Sequence, residues 1–484
     1  MEGSPGTDPA DLGVLEAAAL LATGGLSSVE LTEACLRRID ERNGGPPSAE
    51  GAPGAINAWV RLYPERARAG ARAADRRRHE EGPGTPLLCG IPLAVKDIYG
   101  VAGLPLTASS RVLAGNVSTD DAAALAPLLA QGMVVLGHTH THEFAAGGTT
   151  DQVGNPWDPT RVAGGSSGGS AAALAARMVP AAVGTDTCGS LRIPSSFCGT
   201  SAVKPTHGRL PIEGIIPLAA SMDHPGPMAR TVADCAALLS AMATAVAVTP
   251  LMPPASPLGS LPTEASSGSR PLAGLVLAVT DHALGAGWED RVGAGFDEAR
   301  RAAERLGARV VELPAPWVFG DGDLQTVLLT EMWDYHRRHE ALLESYRPAV
   351  AETVEAARTF TDAQAYLAAQ RRRAEGTAAW EAWFGANGVD LVIEPTLPLL
   401  PLPRGPGYER GHNGGAGDPL IVLTAPWDMT GMPVACLPVT WDVGISLAAP
   451  RGEERRLVQA AIDLQEHALG VPAYAPPAGS SPRR

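Results

Sequence analysis

Short apolar runs separated by helix-forming stretches set the fold class of this chain. Residues 91–96, Met133 to Leu136, Leu275 to Val279, Ala308 to Leu313 and Val389 to Ile393 each hold the few aliphatic residues a buried strand requires. Helical stretches lie around them. One starts at Ser27, where Glu30 completes a capping box ahead of Leu31, Ala34, Cys35 and Ile39. An alanine- and arginine-rich helix covers roughly 64–80, and others begin near Ala122 or cover about 290–306 and a long region over about 324–385. Strands that alternate with helices build a sheet covered by helices, so the rhythm is that of an α/β protein. No internal repeat is visible.

A chain of 484 residues can bury roughly three quarters of its unfolded surface, enough for one large domain or for two or three ordinary ones. The clearest linker is 250–271, with Pro253, Pro254, Pro257 and Pro262 among Ser and Gly. It divides two domains or loops out of one, since an apolar strand resumes at Leu275. Residues 1–10 and 476–484, rich in Pro, Gly and Ser, read as disordered tails. A net charge of -14 argues against a nucleic-acid backbone or an anionic membrane as partner. The stretch from Cys235 to Pro253 is membrane-like, but Ser240, Thr244, Thr249 and the closing prolines mark it as a buried core helix. Six cysteines without metal or disulfide spacing and no secretion signal point to a soluble, cytoplasmic protein.

Of 38 lysines and arginines only two are lysines, Lys96 and Lys204. A chain that otherwise uses arginine keeps a lysine where loss of the proton matters, because arginine stays charged. Lys96 ends the apolar run Pro92-Leu93-Ala94-Val95, where burial would lower its pKa. Lys204, just before Pro205, reads as structural.

Gly164-Gly165-Ser166-Ser167-Gly168-Gly169-Ser170 then runs into the helix former Ala171 to Ala176. Alone this is a glycine-rich turn; it lacks the Gly-Lys-Ser/Thr ending of a phosphate loop. A second serine turn, Gly184 to Ser190, follows, with consecutive backbone N–H groups that could converge on an oxyanion. A neutral lysine beside activated serines is hydrolase chemistry.

These segments resemble the amidase signature family, strongly over residues 80–235 and more loosely from about 27 to 470. Gly90 to Asp97, Glu143-Phe144-Ala145, Gly154-Asn155-Pro156, both serine turns, Val203-Lys204-Pro205-Thr206, Ser221 to Val232 and Pro426 to Pro433 carry the resemblance in order. It implies a single compact α/β/α domain over about 11–475, a large central mixed sheet covered by helices, with 250–271 as a surface excursion. It also implies a triad of Lys96, Ser166 in a cis peptide and nucleophilic Ser190. The backbone of Thr187, Cys188, Gly189 and Ser190 would hold the oxyanion, and Ala145, Ala146 and Gly147 would form a substrate-facing loop. The expected reaction is amide hydrolysis of a small molecule, with no cofactor and no metal. Dimers are common in the family, and no residue here demonstrates one.

Two rivals stand beside it. In amidotransferase subunits of this family the triad releases ammonia from glutamine, whose amino group an aspartate holds; Ile421 aligns there, with Asp418 three residues away. A catalytically silent scaffold is the other rival, which an intact triad disfavours. The chain also departs from the usual Gly-Gly-Ser in having Cys188-Gly189-Ser190; a cysteine at 188 would be strained if that position needed a positive φ. His138, His140 and His142 alternate as metal ligands on an extended segment would, but the family has no metal there, and they read as packing or substrate-lining groups. Trp333, Tyr335, His336, Tyr366 and Trp380 either line the acyl pocket or form a helical core stripe.

Overall fold

All five apolar runs expected as strands enter one sheet. The computed structural model describes residues 8–243, 258–405 and 418–473. Its strands are β1 Trp59–Leu62, β2 Pro92–Lys96, β3 Val134–Thr139, β4 Ala181–Asp186, β5 Ser201–Lys204, β6 His224–Ala229, β7 Val276–Thr280, β8 Arg309–Leu313, β9 Leu391–Pro395, β10 Val434–Pro438 and β11 Gly444–Ala448. They pair in the order β1-β3-β2-β4-β6-β5-β10-β11-β9-β7-β8. β2 is parallel to both β3 and β4, and β7 to both β8 and β9, while the centre from β4 to β9 is antiparallel. The sheet is therefore mixed, and helices cover it.

The capping box at Ser27 forms as expected. Glu30 N–H donates to Ser27 Oγ at 3.1 Å, and Ser27 N–H to Glu30 Oε2 at 2.8 Å, opening the helix Ser28–Arg42. The long helical region is three helices, Asp321–His336, Pro348–Ala357 and Ala363–Asn387. Pro348 explains one break, because proline favours a first helical position over an interior one.

Of the expected tails, 476–484 and residues 1–7 lie outside the described residues, as do 244–257 of the membrane-like stretch and the linker. Residues 8–10, expected as tail, are instead ordered, with Pro9–Asp11 a helical turn, Ala10 buried and Asp8 accepting from Arg38 at 3.0 Å. The described part of that stretch holds the buried helix Val232–Met242. Among the described residues no helix is long and apolar enough to cross a membrane. Residues 258–271 lie against the body: Leu261 is buried, and Ser266 Oγ donates to Asp463 at 2.9 Å. Because β7 then joins the same sheet, both sides of this segment share one core.

Candidate active site

Strand ends deliver the two key groups to one place. Lys96 closes β2, and β4 ends at Asp186 just before the turn that carries Ser190. Parallel pairing of Leu93, Ala94 and Val95 with Ala181, Ala182 and Val183 brings those ends side by side.

Lys96 is fully buried, and its Nζ donates to Ser166 Oγ at 2.7 Å and to Thr185 Oγ1 at 2.9 Å. Burial drives its pKa from the ordinary 10.5 down to about 7, although Asp223 and Asp186 pull the other way. Near neutrality a large share of this lysine is a free amine with a lone pair to offer.

Ser166 follows a cis Gly165–Ser166 peptide bond. Its carbonyl accepts from His142 N–H at 3.0 Å and from Thr150 Oγ1 at 3.2 Å. Gly165 has no alternative, since a Cβ there would collide with the Thr149 carbonyl. Ser167 N–H donates to the Ser190 carbonyl at 3.3 Å, tying the two serine segments together.

A buried charge cluster pins the Thr187–Ser190 turn from behind. Asp186 accepts the Gly189 N–H on Oδ1 and the Leu191 N–H on Oδ2, the latter at 3.2 Å. Arg192 braces the same carboxylate through Nε at 2.8 Å and Nη2 at 3.0 Å. Its Nη1 reaches the Thr424 carbonyl at 2.9 Å, and Nη2 also donates to Asp428. Burial works against the Asp186 charge, but Arg192 outweighs it and holds the pKa at about 2. Asp428 is pushed well up by burial and by the Asp186 charge, against the pull of Arg192 and Lys204.

This arrangement corrects one expectation about the oxyanion donors. The Gly189 N–H is taken by Asp186, whereas those of Thr187, Cys188 and Ser190 have no acceptor among the described residues. Gly189 is required for its backbone instead: its φ is 131°, where a side chain is strained. Cys188 is not among the residues with positive φ, so the feared strain is absent. Burial raises its thiol pKa well above the ordinary value, which keeps it a neutral wall group.

Ser190 is 7% exposed and faces a cavity of about 120 Å³. Ala145, Ala146, Gly147 and Gly148 line one side, with Phe144 and Ala145 held at positive φ of 54° and 60°. Cys188 and Ile193 flank the serine, and Leu218, Leu328, Leu329, Met332, Leu420 and Ile421 make the rest apolar. Thr353 and Asp418 are the polar exceptions beyond the serine. This cavity therefore takes Leu328, Leu329 and Met332 from helix 321–336, and none of its aromatics. His336 packs on Phe144 at 4.7 Å, Trp380 lies 4.9 Å from Trp427, and Tyr366 donates to Glu331 at 2.7 Å.

The three alternating histidines are buried with separate partners. His138 meets Tyr63 at 2.9 Å, His140 the Ser48 carbonyl at 2.9 Å, and His142 the Thr149 carbonyl at 2.7 Å. Lys204 is also fully buried, with Nζ on the Trp427 carbonyl at 3.2 Å and on Met432 O. It holds the 427–432 segment in place. Sequence reasoning missed Thr185, Asp186, Arg192 and Asp428 around the turn. Thr185 and Asp186 could have been suspected from their position beside the serine turn; Arg192 and Asp428, 236 residues apart, gave no such signal.

The chain and its fold have relatives. The amidase family model matches residues 30–458. The chain is 34% identical over 471 residues to the A-type subunit of glutamyl-tRNA(Gln) amidotransferase from Chloroflexus aurantiacus, covering 90% of this chain and 91% of the relative. A solved amidase structure superimposes with a TM-score of 0.80 at 29% identity, over 95% of this chain and all of the other. Peptide amidase from Stenotrophomonas maltophilia gives 0.77 at 26% identity, over 97% and 99% of the two chains. The chain belongs to the amidase family, whose members act on the C–N bond of amides.

Proposed function

We propose that this protein hydrolyses a carboxamide to a carboxylic acid and ammonia or an amine through an acyl-enzyme on Ser190. The observation that carries the reading is the 2.7 Å bond from a buried, easily deprotonated Lys96 to Ser166 Oγ, next to the serine that faces the cavity. Neutral Lys96 accepts the Ser166 proton as Ser166 takes that of Ser190, and Ser190 Oγ attacks the carbonyl carbon. Negative charge on the carbonyl oxygen meets the N–H groups of Thr187, Cys188 and Ser190. The relay then returns the proton to the leaving nitrogen, and water completes the cycle. No cofactor or metal enters this sequence. Aliphatic walls around about 120 Å³ favour a compact, apolar acyl group. Six free cysteines support a cytoplasmic setting.

One observation favours a second reading. Asp418 lines the cavity together with Ile421, so a carboxylate shares that space with any ammonium-bearing substrate such as glutamine, as the amidotransferase relatives would require. Ammonia release from aliphatic, aryl, indole-acetamide-type and amino-acid amides and from glutamine, with Ser190→Ala as control, tests both. Release from simple amides that vanishes in the variant supports the stand-alone amidase. Glutamine as sole substrate supports the second reading, and release that survives Ser190→Ala refutes the acyl-enzyme.

A further inference from the structure

A second cavity, of about 340 Å³ and so within the size range of small-molecule sites, takes His140 and Glu143 from the segment whose Ala145 to Gly148 line the Ser190 cavity. Three guanidinium groups line it, those of Arg61, Arg111 and Arg347, together with the hydroxyl-bearing Ser109 and Ser110. They come from three separate parts of the chain. One carboxylate of the protein already occupies two of them: Glu50 Oε1 accepts from Arg111 at 3.1 Å and Oε2 from Arg347 at 3.2 Å. Arg61 donates to Thr107 Oγ1 at 3.0 Å, and its Nη1 is buried without a hydrogen-bond acceptor, 3.5 Å from Asp97. Glu143, the other wall carboxyl, is already satisfied by Ser110 Oγ at 2.6 Å and Arg347 N–H at 2.7 Å.

We propose that this cavity is a binding site for a small organic carboxylate, for which Glu50 is the resident stand-in. Two arginines gripping both oxygens of one carboxylate display the recognition that arginine geometry favours. Glu50 can leave this grip, because its side chain is 61% exposed and that of Arg111 79%, and exposed ion pairs add little to stability. Arg347, 24% exposed and also donating to the Ala49 carbonyl at 2.9 Å, stays in place to receive what enters. An incoming carboxylate takes the place of Glu50 between Arg111 and Arg347. A second carboxylate on the same molecule reaches towards Arg61, so a dicarboxylate binds better than a monocarboxylate. Occupancy is felt at the catalytic cavity through two shared segments. Arg347 immediately precedes the helix Pro348–Ala357, whose Thr353 lines that cavity, and Glu143 precedes its wall of Ala145 to Gly148.

Calorimetric titration with succinate and acetate at matched ionic strength tests the site in wild-type protein and in Glu50→Gln, Arg111→Ala and Arg347→Ala, each checked for its unfolding midpoint. Binding heats do not depend on amide hydrolysis, so this test stands or falls apart from the proposed reaction. Glu50→Gln, which removes the competitor, should tighten succinate by about threefold or more, and either arginine variant should weaken it by about fivefold or more. Saturable binding absent from Glu50→Gln overturns the proposal. So does affinity that is equal across folded variants, since that would put the ligand elsewhere, the Ser190 cavity included.

Discussion

Replacing Lys96 by methionine separates what this residue does for chemistry from what it does to the fold. The unfolded chain keeps the lysine proton up to about 10.5, whereas the folded protein gives it up near 7. Between those values the unfolded state binds more protons, so rising pH favours folding through this group. The penalty for burying Lys96 is full below pH 7 and gone above 10.5. At about 1.4 kcal/mol per pH unit it is roughly 4 kcal/mol at pH 7 and roughly 2 kcal/mol at pH 9. Methionine lifts the penalty but leaves the Ser166 and Thr185 hydroxyls without their partner, a loss of about 1–3 kcal/mol each. The absolute stability of Lys96→Met is therefore close to that of the wild type at pH 7. The difference between the two must nevertheless move by about 2 kcal/mol in favour of the wild type from pH 7 to pH 9. Lys204 titrates in the same range but is common to both proteins, and its contribution cancels. Urea unfolding at pH 7, 8 and 9 measures this directly. A difference that stays flat with pH would mean that folded Lys96 holds its proton throughout, and the base in the proposed relay would be lost.

The same titration governs rate: kcat/KM should climb about tenfold from pH 6 to pH 8 as neutral Lys96 accumulates, and a rate that is flat or falls over that range contradicts the assignment. Asp186→Asn weakens the pin on the serine turn and should lower kcat by about 10²–10³ with a smaller change in KM, measured on the best amide from the panel. Cys188→Gly should keep activity within about tenfold of wild type, because the thiol is a neutral wall group; loss as complete as in Ser190→Ala would make Cys188 a participant.

Local signals carried most of the site and less of the sheet. Lys96 stood out because this chain almost never uses lysine, and the two serine turns because glycine-rich segments feed helices there. β6 was hidden: His224-Pro225-Gly226-Pro227 holds two prolines, which argue against a strand inside a sheet. It is tolerated because β5 pairs with β6 only at Met228 and Ala229, leaving the prolines beyond that ladder. β10 and β11 escaped because their short runs lie among turn residues, although each pairs on both sides, β10 with β5 and β11 with β9 as well as with each other. The charge cluster behind the oxyanion turn was out of reach for another reason. Asp428 meets Arg192 only after the chain has closed the sheet between β5 and β10, and no periodicity encodes such a meeting. That the cavity receives Leu328, Leu329 and Met332 rather than Trp333 or Tyr335 of the same helix likewise depends on which face the packing turns inward.

The burial of both lysines leaves the folded surface without a single side-chain primary amine. Acylating reagents and lysine-directed cross-linkers therefore find no ε-amino target on the native protein, and immobilisation through such groups would capture unfolded molecules first. Reaction at Lys96 and Lys204 becomes a clock for opening of the core, with each labelled lysine recording one excursion from the native state.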